Sequence, residues 1–335
     1  VATISDVARA AGVSPATVSR VLNGGRVSPE RAERVRRVAS ELGFSPNRVA
    51  RSLRTQQASV IGLLIPDIEN PFFTALARGV EDASRRTHLS VVLCNTDEDV
   101  EKEARYLDVA LAEQMAGVIV AAASPRRSDF SALDARGTPV VAVDRRPGAA
   151  TVDAVMVDDQ RGGDEATAHL LDRGYRRVAC VTGPADTAAS EERLAGHRAA
   201  MRAAGTPDAW IRAHTRHADL RVEGGRTAMA ELLTLPEPPD AVLVTHDLLT
   251  VGALEALRTA GVEPPAFGVL SFGDVPWASL VRPPLTTVRL PSYDLGVAAA
   301  TLLQERIAGS TGPRRTVTLR PDLHPRASTS GPTPG

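Results

Sequence analysis

Lysine occurs once, at Lys102, cysteine twice, at Cys94 and Cys180, and aromatic residues make up only 3% of the 335 positions. No run of about 18 apolar residues is present, so no segment is built to cross a bilayer as a helix. Each cysteine sits inside an apolar, β-type run (SVVLC and RVACV). Both read as buried thiols, and neither a disulfide nor zinc-ligand spacing is indicated. The first residues lack the basic-then-apolar pattern of a secretory signal, so the expected location is the cytoplasm. Motifs of catalysis are missing too: there is no GxSxG, GxxxxGK or HExxH, and His214 and His217 have no third ligand nearby. The glycine pairs Gly162-Gly163 and Gly224-Gly225 stand isolated. No enzyme activity, cofactor or metal is expected.

What is present is a globular composition, 43% hydrophobic and 24% charged, on a chain long enough for two or three domains. The formal net charge of −1 conceals an imbalance. Residues 1–59 hold ten arginines against Asp6, Glu30, Glu33 and Glu41, a net of +6, which leaves −7 for the remainder. A basic head on an acidic body points to a polyanion partner confined to one end, because neutralising phosphates with arginine supplies most non-specific nucleic-acid affinity.

The head is punctuated into short helices. Thr3 with Asp6 forms the pattern of a capping box, and Gly12 stops the helix that follows. Ser14-Pro15, Ser28-Pro29 and Ser45-Pro46 each set a hydroxyl cap before a proline at the first helical position, where its missing N–H costs nothing. Val7/Ala8/Ala11, Val18/Val21/Leu22 and Val35/Val38/Ala39/Leu42 supply three apolar stripes, and Gly43 ends the third. Two helices joined across Gly12-Val13 make a helix-turn-helix, whose second helix enters a DNA major groove; an ordinary small bundle is the alternative. On the first reading Ser14, Thr17 and Ser19 bond phosphates. Pro15, Ala16 and Arg20 then face base edges, with Arg20 suited to the two acceptors of guanine.

After Ser59, β-branched runs (60–65, 90–94, 117–122, 139–143, 154–157, 177–183, 241–245, 268–272) alternate with helix-length segments. This is the signature of parallel sheets covered on both faces, with ligands beyond the carboxyl ends of the strands.

"TISDVARAAGVSPATVSRVLNG" followed by "SPNRVARSLR" resembles the DNA-binding head and hinge of the lactose-repressor family of bacterial transcription regulators. The likeness continues through "IGLLIPDIENPFF", "LCNTDED", "GVIVAA", "PVVAVDR", "RLAGHRAAM" and "PPLTTVRLP", from Thr3 to about Ser328. It implies a helix-turn-helix head (1–45) and a hinge helix with linker (46–59). An α/β, periplasmic-binding-protein-like body (60–330) of two doubly wound parallel-sheet subdomains follows. One subdomain would take roughly 60–159 plus 290–314 and the other 160–289 plus 315–330, with crossings near 157–162 and 285–290. Leu53 matches the residue that wedges into the minor groove, and the DNA-contacting set extends to Thr3, Asn23, Asn47 and Arg51. Bottom-up, a two-turn helix bearing Val49 and Leu53 is marginal alone and suited to a switch.

The resemblance also implies an effector cleft lined by Asn70, Phe72, Phe73, Asp144, Arg193, Leu220, His246 and Asp274. Three positions depart from the family pattern. Leu220 replaces a frequent ring-stacking aromatic, "HDLLTVGAL" puts His246 at a usual asparagine, and "SFGD" puts Gly273 where an aspartate is common while Asp274 remains. The residues after Asp322 lack heptad leucines, so a dimer without a tetramerising coiled coil is expected. The expected function is that of a ligand-responsive repressor on a palindromic operator, with operator DNA, a small molecule (a sugar or derivative) and a second copy as partners. A corepressor-dependent regulator sensing a non-sugar metabolite and a solute-binding protein are the alternatives.

Overall fold

A computed structural model describes residues 2–22, 25–44, 59–146, 148, 152–185 and 187–332. The chain divides into two units, Val1–Ser59 and Val60–Gly335. In the first, α1 (Ile4–Ala11), α2 (Pro15–Leu22) and α3 (Pro29–Glu41) close on a small core of Val7, Ala8, Ala11, Val18, Val21, Val35, Val38 and Ala39. The capping box forms: the Asp6 N–H donates to Thr3 Oγ1, and Asp6 Oδ2 accepts from the Thr3 N–H at 2.9 Å. Gly12 adopts φ +63°, which lets the chain reverse tightly enough for the Val13 N–H to reach Ala8 O at 3.0 Å. Ser14 caps α2 through the Thr17 N–H (3.2 Å). Ser28 departs from expectation, since α3 starts with no side-chain cap and only the Ser28 carbonyl engages the helix, accepting from the Ala32 N–H. Ser45 lies outside the described residues.

The second unit holds two six-stranded sheets. The first runs β11-β5-β4-β3-β1-β2, from β1 (Val60–Ile65), β2 (Ser90–Asn95), β3 (Gly117–Val120), β4 (Val140–Val143), β5 (Asp153–Val157) and β11 (Thr316–Leu319), all parallel. The second runs β12-β10-β9-β8-β6-β7, from β6 (Val178–Thr182), β7 (Thr215–His217), β8 (Ala241–Val244), β9 (Gly268–Phe272), β10 (Thr286–Arg289) and β12 (Asp322–His324), parallel except for β12. Central strands are buried on both faces, which is why they read as continuous apolar runs. Both cysteines are buried and unpaired, and burial pushes the Cys180 thiol up to about 12.

The chain leaves the first sheet at Asp158, returns at Leu290-Pro291 and leaves again at Arg320-Pro321. That third passage corrects the expected division. The division implied by the family resemblance puts residues 316–319 in the second subdomain, yet Thr316↔Ala154 through Leu319↔Val157 pair in register with β5 and make the edge of the first sheet. An alternating, half-exposed strand suits that edge position.

Three helix pairs cover the sheets: α4 (Pro71–Arg85) on α12 (Ser292–Ile307), α7 (Asp159–Asp172) on α8 (Ala188–Ala203), and α10 (Val222–Leu233) on α11 (Asp247–Thr259). Each crossing is built on reciprocal glycines. A Cβ on Gly163 would lie 2.1 Å from Arg193 O and one on Gly196 1.9 Å from Gln160 O; Gly225 and Gly252 do the same between α10 and α11, and Gly79 and Gly296 between α4 and α12. The glycines that stand isolated in sequence therefore have partners in space. They let helix backbones touch, closer than side chains permit.

Candidate functional site

In the head, the cap residue Ser14 and, on α2, Pro15, Ala16 and Arg20 are exposed, with Thr17 and Ser19 half-buried beside them. Ser14 and Thr17 share a hydrogen bond at 2.9 Å, so the hydroxyl pair that fixes the helix start also presents oxygens outward. Among the described residues Arg20 has no carboxylate partner, whereas Arg9 and Arg37 lie loosely against Asp6 (3.6 Å) and Glu41 (3.8 Å). Exposed Thr3 is engaged in its capping box. Asn23, Asn47, Arg51 and Leu53 lie outside the described residues.

In the body, the expected effector residues separate by what already holds them. Asn70 caps α4, its Oδ1 accepting from the Phe72 N–H at 2.9 Å. Phe73 is buried in the first-sheet core, and Phe72 packs edge-on against it with ring centres 4.9 Å apart, half-buried. Leu220 packs on the second-sheet core near Gly183. The Asp274 carboxylate accepts from Thr287 Oγ1 and Arg326 Nη2, each at 2.8 Å, and His324 approaches at 3.4 Å. Desolvation raises its pKa, but those hydrogen bonds win and hold it below the ordinary carboxylate range. Asp274 is thereby committed to anchoring the C-terminal segment.

Arg193 lies close enough to Asp144 and His246 for its charge to act on both. Arg193 is 8% exposed; its Nε donates to Asp159 Oδ1 at 2.6 Å, its Nη1 to Thr245 O at 2.8 Å, and its guanidinium lies 4.6 Å from the centre of the Phe272 ring. Asp159, Thr245 and Phe272 were not singled out from sequence. The available signal was that all three sit within two residues of a strand end. Burial raises Asp159 despite the opposing Arg193. His246 caps α11, its Nδ1 accepting from the Leu248 N–H at 3.3 Å; burial lowers its pKa, against the pull of Asp247. The imidazole is neutral at pH 7.

Asp144 stands just past β4 at φ +64°. Burial pushes its carboxyl up to about 6, with Arg145 pulling it down and Asp159 adding repulsion. A raised carboxyl means the native state binds the proton more tightly than the unfolded chain. Stability is then greatest below about pH 4 and is lost as pH rises through about 6. Asp144→Asn should stabilise the protein at pH 7 by up to about 3 kcal/mol and leave it unchanged near pH 4. Urea unfolding at the two pH values checks this.

A model described as "Bacterial regulatory proteins, lacI family" matches residues 3–47, and one described as "Periplasmic binding proteins and sugar binding domain of LacI family" matches residues 58–321. The chain belongs to the LacI family. Like its LacI-family relative the ribose operon repressor of Escherichia coli strain K12, it spans head and body: the two are 36% identical over 332 residues, covering 98% of this chain and 99% of the other. The structure of the transcriptional regulator CelR-cellobiose complex is similar at 32% identity and a TM-score of 0.74, covering 98% and 100% of the two chains. The Lac repressor dimer bound to operator and the anti-inducer ONPF is similar at 25% identity and a TM-score of 0.86, covering 98% and 99%. Among the described residues no helix is long and apolar enough to cross a membrane, and no group of His, Cys, Asp or Glu is arranged to hold a metal ion.

Proposed function

We propose that this LacI-family chain is a ligand-responsive transcriptional repressor of the cytoplasm that binds a palindromic operator as a homodimer and is released by a small-molecule effector, a sugar or sugar derivative. One observation carries the reading: an exposed Arg20, with no carboxylate partner among the described residues, on the second helix of a basic helix-turn-helix shares a chain with a two-sheet body whose strand ends hold a buried arginine. Arg193, Asp144, His246 and Phe72 line the cleft in this reading. Asn70, Phe73, Leu220 and Asp274 support its walls. A second copy brings two heads to a twofold site. It also accounts for large apolar side chains left in solvent, Val92 (41% exposed) and Leu93 (40%) on the edge strand β2 and Leu280 (73%). Effector and operator are coupled only as strongly as the effector discriminates between the DNA-binding and released states.

Selection of duplexes from a random pool by the full chain is expected to return two inverted half-sites. Arg20→Ala should lose about 1–3 kcal/mol of discrimination at one base pair per half-site while retaining non-specific binding. Enrichment of a single, unrepeated site would refute the dimeric reading. A stabilising compound that tightens operator binding would mark a corepressor.

A further inference from the structure

The carboxyl edge of the first sheet carries a second guanidinium, Arg145, directly after Asp144. Two arginines at a ligand cleft ordinarily suit an anion. The contacts here remove that option. Glu98 lies in the turn after β2, where Asp97 and Glu98 both take left-handed backbone angles (φ 54° and 58°). From there it grips Arg145 with both oxygens: Oε1 accepts from Nη2 at 2.7 Å and Oε2 accepts from Nη1. A strained turn of two non-glycine residues is held in place by that two-toothed pair. Arg193 is held differently, by a single contact from its Nε to Asp159 Oδ1 at 2.6 Å and by its Nη1 on the Thr245 carbonyl at 2.8 Å.

The remaining groups at the site tip the balance further. Asp144 is flanked by Arg145 at 3.7 Å and acted on by Asp159, Arg193 and Glu98. Glu192 lies close enough to Arg193, Arg146, Asp158 and Asp159 for their charges to act on it. His246 contributes no positive charge at pH 7 because burial keeps it neutral. Five carboxylates (Glu98, Asp144, Asp158, Asp159, Glu192) thus act in the same cluster as three guanidiniums (Arg145, Arg146, Arg193). An entering phosphate or carboxylate would be desolvated beside carboxylates, with half-buried Arg145 already paired to Glu98 and buried Arg193 already paired to Asp159 and the Thr245 carbonyl.

We propose that Glu98 is a specificity-determining residue: by holding Arg145 it withholds that guanidinium from the cleft, so the effector is an uncharged polyhydroxylated molecule and its phosphorylated analogues are rejected. This rests on the reading of the cleft as the effector site.

The test uses the full-length protein and Glu98→Gln, with inorganic phosphate and the matched pair ribose and ribose 5-phosphate as probes, read by calorimetric titration and thermal unfolding. Wild type is expected to ignore phosphate at millimolar concentration and not to prefer the phosphorylated sugar. Glu98→Gln keeps the size of the side chain but removes its charge; it should gain phosphate affinity by about tenfold or more, the scale of one charge-assisted contact. Adding Arg145→Gln to that variant should abolish the gain. Should Glu98→Gln not fold, Glu98→Asp, too short to grip with both oxygens, should show a smaller gain. The proposal is overturned if wild type binds phosphate or prefers ribose 5-phosphate, or if the folded variants are as indifferent to phosphate as wild type. Phosphate gain in Glu98→Gln together with an operator affinity that no cleft ligand alters would leave the specificity claim standing and bring down the regulatory reading.

Discussion

Arg193→Ala is expected to abolish the effector response, leave operator binding intact, and lower stability by about 3 kcal/mol. The stability loss follows from what the arginine leaves behind. Asp159 is 3% exposed and its 2.6 Å partner would be gone, so a buried carboxylate must stay unpaired or take a proton. Breaking one side of a buried pair typically costs about 3–5 kcal/mol, and protonation of an already raised Asp159 offsets part of that. In a body of this size the loss corresponds to roughly 6–12 °C in Tm. Arg193→Ala combined with Asp159→Asn should recover a measurable share, which a double-mutant cycle by urea unfolding reads directly. Loss of operator binding by a folded Arg193→Ala protein would mean that the cleft is wrongly assigned or that the ligand is a corepressor.

Gly196→Ala is also expected to destabilise the protein and weaken its effector response, although it adds only one methyl group. Its Cβ would sit 1.9 Å from Gln160 O and 2.6 Å from Asp164 N, both backbone atoms that cannot swing aside. Alanine gains about 1 kcal/mol in helix propensity over glycine. Overpacking of this kind costs about 1–3 kcal/mol and often more where a whole helix must move. A net loss of up to about 2 kcal/mol is expected. Displacing α8 also displaces Arg193, whose carbonyl lies against Gly163, so the effector response should weaken together with stability. Gly312→Ala is the control, since nothing lies within 4 Å of its added Cβ. Equal midpoints for the two variants in urea would refute the close-crossing account.

Local signals were legible where the cause is local. The capping box at Thr3 and Asp6, the Ser14 cap, the reversal at Gly12 and the apolar runs of the central strands depend on residues within a few positions of one another. Features set by distant partners were not. Gly163 is explained by the backbone of Arg193, 30 positions away, and β11 joins the first sheet because β5 offers it an open edge. The same division runs through the site. The family pattern pointed to Asp144 and Arg193, but whether a charge is available to a ligand depends on its neutraliser, and Asp159, Glu98 and Arg326 come from other elements. Ser28 shows the converse: a favourable cap residue is a preference, and a side chain can turn away while its carbonyl serves the helix.

The central claim is that a ligand in the body governs DNA binding by the head. The direct measurement is fluorescence anisotropy of the selected duplex titrated with wild type and with Arg193→Ala, each with and without a compound shown to stabilise the wild-type fold. The compound is expected to weaken operator binding by wild type and to leave Arg193→Ala bound. A compound that stabilises the fold through the cleft yet leaves the wild-type operator affinity unchanged would contradict it.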